Sequence, residues 1–124
     1  MVVQGDGSLK FTGKDEKVFI FERKNYDEHC IKHPSLKLEY YLEDMQRVLA
    51  TPHCITEGPQ KGRNTYYGVL RNIGITQLHV LKIPVFAHQK VYFVASAYDF
   101  WTSPTNVIHY LEKVVWKEVN FLFF

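Results

Sequence analysis

The 124-residue sequence has few cysteines, little net charge and no long apolar run. Two cysteines, Cys30 and Cys54, are too few for a small secreted scaffold held together by disulfides. A formal net charge of +2 excludes a strongly cationic protein that coats nucleic acid, but it allows a local basic site acting on a few phosphates. No stretch approaches the roughly 20 apolar residues of a membrane span, and no signal-peptide pattern opens the chain. We therefore expect a cytoplasmic protein with reduced thiols and no membrane association.

What the sequence does contain is a large apolar and aromatic fraction. Hydrophobic residues make up 46% of the chain, and there are nine Phe and eight Tyr. A composition of this kind predicts a folded core, and the length predicts one domain, residues 1–124. Within it we expect a loosely ordered leader over 1–16, a core over 17–101, and a C-terminal helix with an apolar tail over 102–124.

Two helices are predicted early in the chain. Asn25 and Glu28 have capping-box spacing, and Pro34 disfavours helical geometry at His33, so a first helix should end there. A second helix should end at Thr51-Pro52. Its apolar face consists of residues at helical spacing, namely Leu38, Tyr41, Leu42, Met45, Val48 and Leu49.

Strand patterns dominate the rest of the core. "KVFIFE" precedes the helices, and "HCITEG", "TYYGVLR", "TQLHVLKIPVF" and "KVYFVASAYDF" follow them, separated by short turns. From Ser103-Pro104 the apolar spacing returns to that of a helix, with Val107, Ile108, Leu111, Val114 and Val115 on one side. The predicted fold class is α+β, with N-terminal helices packed on a roughly four-stranded antiparallel sheet and a C-terminal helix.

His29 and His33 lie four residues apart and should share one face of the first helix. Such a pair can supply two metal ligands, although a closed zinc site would need two more donors and neither a CxxC nor an HExxH motif is present. Either histidine can also exchange protons near neutral pH. The structural alternative is a solvated His29 and a His33 that caps the helix.

Other chemistry-bearing residues are spread over the strands. Lys61 and Arg63 lie in the basic loop "QKGRN", followed by Tyr66 and Tyr67, which could stack a base or simply pack. Lys82 interrupts an apolar strand, so it should lie near a sheet end, extend its ammonium to solvent, or face an active site. Ser96 and Tyr98 share one face of the last strand and could bind a phosphate.

The segments "KHPSL", "VLATP", "ITEG" and "VASAYDF", in this order, resemble small nucleases of the barnase–EndoU–colicin–RelE-like fold. The phage-associated members and the BrnT-type toxins are the most similar branches. The resemblance covers roughly residues 17–101 and rests on layout and loose motifs.

The resemblance implies a metal-independent, toxin-like endoribonuclease that needs no cofactor. The ribose 2′-OH attacks the adjacent phosphate and leaves a 2′,3′-cyclic phosphate. The matching catalytic positions are His33, Arg63, Lys82, Ser96 and Tyr98. The expected RNA contacts are Lys61, Tyr66, Tyr67 and His29. RNA is the expected substrate, and an antitoxin protein is an expected partner.

A different class of function remains open from the same residues. The chain could be a non-catalytic α+β interaction module, in which the aromatic side chains form the core. The apolar C-terminal segment would then be the interface, for a partner or for a homodimer. Clustering of the five predicted catalytic residues in one concave patch would favour the enzyme over the module.

Overall fold

The computed structural model describes residues 1–58, 60–73, 77–103 and 114–117. Strands β1 (Val2–Val3), β2 (Leu9–Thr12) and β3 (Val18–Phe21) come first, followed by helices α1 (Arg23–Lys32) and α2 (Glu39–Ala50). The remaining strands are β4 (Cys54–Glu57), β5 (Arg63–Ile73), β6 (Gln77–His88), β7 (Val91–Val94), β8 (Tyr98–Thr102) and β9 (Val114–Lys117). None of the helices in these residues is long and apolar enough to cross a membrane.

The α+β class and the N-terminal helices packed on a sheet are confirmed, but the sheet is larger than predicted and mixed. In the described residues it has nine strands in the order β1-β2-β3-β7-β6-β5-β4-β9, with β8 also paired to β6. The β3–β7 pair is parallel, whereas the other pairs are antiparallel. This parallel pair joins the strand before the helices to the strands after them.

The long strand β6 organises the centre of the sheet. Its second half pairs with β7 over Val85–His88, and its first half pairs with β8 over Leu78–Lys82. The predicted strand "KVYFVASAYDF" is therefore two strands, interrupted at residues 95–97. At this interruption the Ala95 N–H donates to the Pro84 carbonyl, at 2.9 Å.

Both helices cover one face of the sheet, which we call the helix-covered face. Met45, Val48 and Leu49 of α2, with Tyr26 and Cys30 of α1, are buried in one core. The sheet contributes alternate residues to that core, namely Phe19, Phe21, Tyr66, Leu81, Ile83 and Val85. Full burial of each such apolar side chain contributes roughly 1.5–3 kcal/mol to stability, so these contacts hold the helices on the sheet.

The opposite face carries a second, smaller apolar cluster. Cys54, Tyr67, Leu78 and Val80 are buried there. Lys82 lies on this face as well, because it follows Leu78 and Val80 at a spacing of two along β6. The two faces therefore present different sets of polar residues.

The two ends of the chain differ from the expectations in specific ways. In the expected leader, 1–16, β2 pairs with β3, and Leu9 and Phe11 are buried in the core. Val114 and Val115, assigned to a C-terminal helix, lie in β9, which pairs with β4. Thr102, the first residue of that segment, ends β8, and Trp116 and Lys117 also belong to β9. Residues 104–113 and 118–124 of the predicted helix and apolar tail lie outside the described residues.

Candidate active site

A pocket of about 660 Å³ opens on the helix-covered face, between α2, the turn before it and strands β5, β6 and β8. Its volume falls in the range typical of small-molecule and cofactor sites. Two arginines, a histidine, two acids and three large aromatic rings contribute to its wall. The lining residues are Ser35, Tyr40, Tyr41, Asp44, Arg47, Leu70, Arg71, His79, Asp99 and Trp101.

Strand register brings the sheet residues of the pocket together. His79 of β6 pairs with Trp101 of β8 on one side and with Arg71 of β5 on the other. Cross-strand neighbours point to the same face, so these three side chains share the helix-covered face. The β5–β6 register shifts between Val69 and Arg71, and this irregularity sets Arg71 opposite His79.

An acid–base pair lies in this pocket. Nε2 of His79 is 2.6 Å from Oδ2 of Asp99, and the phenol of Tyr41 donates to Oδ1 of the same carboxylate at 3.1 Å. The side chains of His79 and Asp99 are 18% and 35% exposed. The carboxylate is thus held by two partners, yet it stays accessible from the pocket.

The second nitrogen of the His79 ring faces away from solvent. Nδ1 is buried and has no hydrogen-bond partner within the described part of the chain. Nε2, the nitrogen next to Asp99, is therefore the ring nitrogen that can exchange a proton with a group bound in the pocket. Since the two groups share one short contact, a proton on Nε2 lies between the imidazole and the carboxylate.

Tyr41 is built to remain a hydrogen-bond donor. Burial in α2 and the nearby Asp99 carboxylate raise the pKa of Tyr41 well above its ordinary value. The phenol therefore stays protonated across the physiological range and continues to orient Oδ1 of Asp99. This is a positioning role, because the phenol acts through the carboxylate.

Trp101 connects the acid–base pair to the pocket rim. Its ring stacks on the His79 ring, with centroids 4.6 Å apart and planes inclined by 6°. Trp101 is nevertheless 49% exposed. One face of the indole thus packs on the imidazole, while much of the ring remains accessible to a ligand.

The positive charges of the pocket are unequal. Nη2 of Arg47 pairs with Oδ1 of Asp44 at 2.8 Å, so most of that charge is already balanced. Arg71 is exposed and has no ion-pair partner among residues 1–58, 60–73 and 77–103. Arg71 is therefore the cation best placed to receive a phosphate, which guanidinium groups bind in a bidentate manner.

Two motifs that carry the predicted resemblance border this pocket. The Tyr26 phenol donates to the Leu36 carbonyl at 2.8 Å and fixes the "HPSL" turn, whose Ser35 lines the wall. The Asn25 amide donates to the carbonyls of Val94 and Ala95, at 3.0 and 3.2 Å, just before "SAYDF". Helix α1 thus holds both motifs in place beside the acid–base pair.

Three of the residues predicted from the sequence meet on the opposite face. Nζ of Lys82 lies 5.8 Å from the ring centroid of Tyr67 and 5.5 Å from that of Tyr98. Burial alone would lower the pKa of Lys82, but hydrogen bonds and charge interactions with Tyr98 and Tyr67 outweigh it and raise that pKa. We call Lys82, Tyr67 and Tyr98 the tyrosine–lysine cluster.

The other predicted catalytic residues lie elsewhere. His33 is an exposed residue at the C-terminal cap of α1, in the helix layer, and its N–H donates to the His29 carbonyl. Arg63 begins β5, with its guanidinium 5.4 Å from the Phe86 ring centroid and bonded to Gln60. Ser96 is half-buried in the break between β7 and β8.

The predicted RNA contacts are dispersed as well. Tyr66 is buried in the main core, where burial raises its pKa to about 12, while Lys61 is exposed in the turn before β5. His29 is half-buried near Phe21, with a buried Nδ1 that has no partner in the described residues. In the same part of the chain, no three His, Cys, Asp or Glu residues form a metal-binding group.

The sequence patterns did not predict a catalytic or binding role for His79, Asp99, Trp101 or Arg71. His79 and Asp99 are 20 residues apart, and nothing in either strand alone shows that β8 pairs with the first half of β6. One available signal was a histidine in the same strand as Lys82 but on the opposite face. Comparisons with protein-family models, with curated proteins and with solved structures find no match to this chain.

Proposed function

We propose that this protein is a metal-independent endoribonuclease whose acid–base pair is His79 and Asp99. The observation that carries the proposal is this pair, 2.6 Å apart in an open pocket that also presents Arg71 and the exposed ring of Trp101. Ribonucleolysis needs proton transfer, a cation for the phosphate and a surface for a base. The pocket supplies a group for each requirement.

The reaction is a transesterification at one phosphate of RNA. The 2′-oxygen forms a bond to phosphorus, and the bond from phosphorus to the 5′-oxygen of the next nucleotide breaks. The His79–Asp99 pair accepts the proton of the 2′-OH and returns a proton to the departing 5′-oxygen. General acid–base catalysis of this kind contributes roughly 10²–10⁴-fold to a rate.

Arg71 would stabilise the negative charge that develops on the phosphorane. A fixed cation at that point lowers the barrier more than it improves substrate binding, because the charge is greatest in the transition state. Arg47 can contribute through its remaining N–H groups while Asp44 holds it in position. The proposed reaction needs no metal because arginine supplies the required charge.

The tyrosine–lysine cluster is the alternative location for the same chemistry. It contains Lys82, Tyr98 and Tyr67, which the sequence predicted for catalysis and RNA binding. The ammonium of Lys82 already interacts with the two phenols of the cluster. Within the described residues, no histidine or carboxylate is seen to contact this ammonium. The pocket is therefore the better-supported location.

A toxin role and restraint by an antitoxin protein are proposed on the resemblance alone. The competing function is a non-catalytic interaction module whose interface is the apolar C-terminal segment. The dispersal of the five residues predicted for catalysis favours this module. Both functions can be separated by activity, because a module leaves RNA intact.

The test is cleavage of a fluorescently labelled single-stranded RNA in EDTA by the wild type and by His79→Ala. We expect products ending in 2′,3′-cyclic phosphate from the wild type and a loss of roughly 10²-fold or more in His79→Ala. Lys24→Ala, which removes an exposed residue of α1 away from the pocket, is the control. Intact RNA after incubation with folded wild type would favour the interaction module.

A further inference from the structure

Trp101 combines two properties that no other pocket residue shares. It stacks face to face on His79, and it is 49% exposed. The side of the indole that does not face the imidazole is large, planar and apolar. We propose that this ring is the platform for one unpaired base of the substrate, so that base, indole and imidazole form a three-layer stack. The inference rests on the proposed function and names the substrate class of the same site.

The geometry limits which nucleic acids can use this platform. A base inside a duplex has both faces covered by its neighbours, so it reaches a side-chain ring only after unstacking. Base–aromatic stacking is tolerant of sequence, and preferences arise from stacking strength. A purine overlaps an indole more than a pyrimidine does. The predicted substrate is therefore a single strand with a purine beside the reacting phosphate.

Stacking on Trp101 also affects the acid–base pair. The indole covers one face of His79, and Asp99 holds the ring edge through Nε2. A base bound on the outer face would press the indole onto the imidazole and restrict its rotation. Trp101 is thus a specificity-determining residue that also positions His79.

The remaining exposed aromatic of the pocket is Tyr40, at 60% exposure on α2. No ring stacking of Tyr40 on His79 is seen in the described residues. Tyr40 can contact a neighbouring nucleotide, but it cannot couple base binding to the imidazole. The two aromatics should therefore differ in their effect on turnover.

The test uses a five-residue 2′-deoxy backbone that carries one central base, adenine, thymine or none, with abasic residues elsewhere. It lacks the 2′-OH, so binding is measured without cleavage, by calorimetry and by the indole N–H resonance of Trp101. That resonance is assigned by its loss in Trp101→Phe. We expect adenine to bind about tenfold or more tighter than the abasic backbone, with thymine between them.

Trp101→Ala should abolish this preference, and Trp101→Phe should retain part of it. The matched control is Ile31→Ala, which removes an apolar side chain of α1 that is 81% exposed and outside the pocket. Equal affinity for the three backbones, or an unchanged preference in Trp101→Ala, would overturn the inference.

Binding and cleavage separate the two proposals. Base-dependent binding with no RNA cleavage supports the platform and overturns the nuclease. Cleavage of RNA by a wild type whose binding ignores the base supports the nuclease and overturns the platform. In a cleaving protein, Trp101→Ala should lower kcat as well as affinity, whereas Tyr40→Ala should mainly raise KM.

Discussion

The same pair of strands, β6 and β8, contributes to the pocket on the helix-covered face and to the tyrosine–lysine cluster on the opposite face. His79 and Lys82 both belong to β6, and Trp101 and Tyr98 are their partners in β8. In the cluster, the rings of Tyr67 and Tyr98 flank the Lys82 ammonium, and both phenols interact favourably with its charge. In the pocket, the acid–base pair stays partly exposed, with an exposed arginine nearby. A satisfied polar group stabilises a fold, whereas an accessible one can react.

The largest expected difference between the two faces is in catalysis. Asp99→Asn keeps the shape of the side chain but removes the carboxylate that serves His79. We expect kcat on single-stranded RNA to fall by roughly 10²–10⁴-fold, with little change in the urea midpoint, because Asp99 is partly exposed. Steady-state cleavage kinetics and urea unfolding, run in parallel, would measure this. Full activity in Asp99→Asn would show that the His79–Asp99 pair is not the acid–base catalyst.

A second difference is that the pocket depends on the position of α2, whereas the tyrosine–lysine cluster lies on the face without helices. Gly68 lies opposite Leu81, and a Cβ there would come within 2.3 Å of Cγ2 of Val48 in α2. Gly68→Ala should therefore displace α2 and cost about 1–3 kcal/mol of unfolding free energy, the usual penalty for overpacking. Activity should also fall, because Tyr41 moves with α2.

The matched control for this variant is Gly5→Ala, where a new Cβ has no neighbour within 4 Å. Its unfolding free energy should change by no more than about 0.5 kcal/mol. If Gly68→Ala changed the unfolding free energy as little as Gly5→Ala does, α2 would not pack on β5 as closely as the structure shows.

The smallest expected difference is in alkaline stability. Burial raises the pKa of both Tyr41 and Tyr67, but Lys82 and Thr56 lower that of Tyr67, whereas Asp99 raises that of Tyr41 further. A raised pKa in the folded state means that stability is complete below about pH 10 and declines above it, since the unfolded chain ionises first. Each such tyrosine costs ~1.4 kcal/mol per pH unit until its folded pKa is reached.

Tyr41→Phe should consequently flatten the decline in stability between pH 10 and 11.5 more than Tyr67→Phe does. Urea unfolding at several pH values in this window measures both slopes. Equal slopes in the two variants would mean that Asp99 and Lys82 do not act on the phenols as the structure indicates.

Local patterns predicted much of the fold. Pro34 and Thr51-Pro52 correctly marked the ends of α1 and α2, since proline restricts the residue before it, and both helix caps lie at His33 and Thr51. The α+β class followed from the change of period after Pro52. Pairings between distant strands, such as β3 with β7, leave no periodic signal in either strand, so the mixed sheet could not be predicted.

The site was predicted only in part, because local motifs can be read from the sequence whereas strand pairing cannot. The "HPSL" and "SAYDF" motifs border the pocket, but the residues selected within them were His33, Ser96 and Tyr98. The pocket instead uses Ser35, two residues after His33, and Asp99, directly after Tyr98. A shift of one residue in a strand changes the face to which a side chain points, and sequence alone does not assign the faces of β8.

The most direct test of the central claim compares Asp99→Asn with Lys82→Met on one single-stranded RNA in EDTA, together with their unfolding free energies. We predict that Asp99→Asn loses activity and keeps stability. Lys82→Met should keep activity within a few-fold and lose about 0.5–2 kcal/mol, the usual value of a cation–π contact. Activity that is lost in a folded Lys82→Met but kept in Asp99→Asn would contradict the account and move the active site to the tyrosine–lysine cluster.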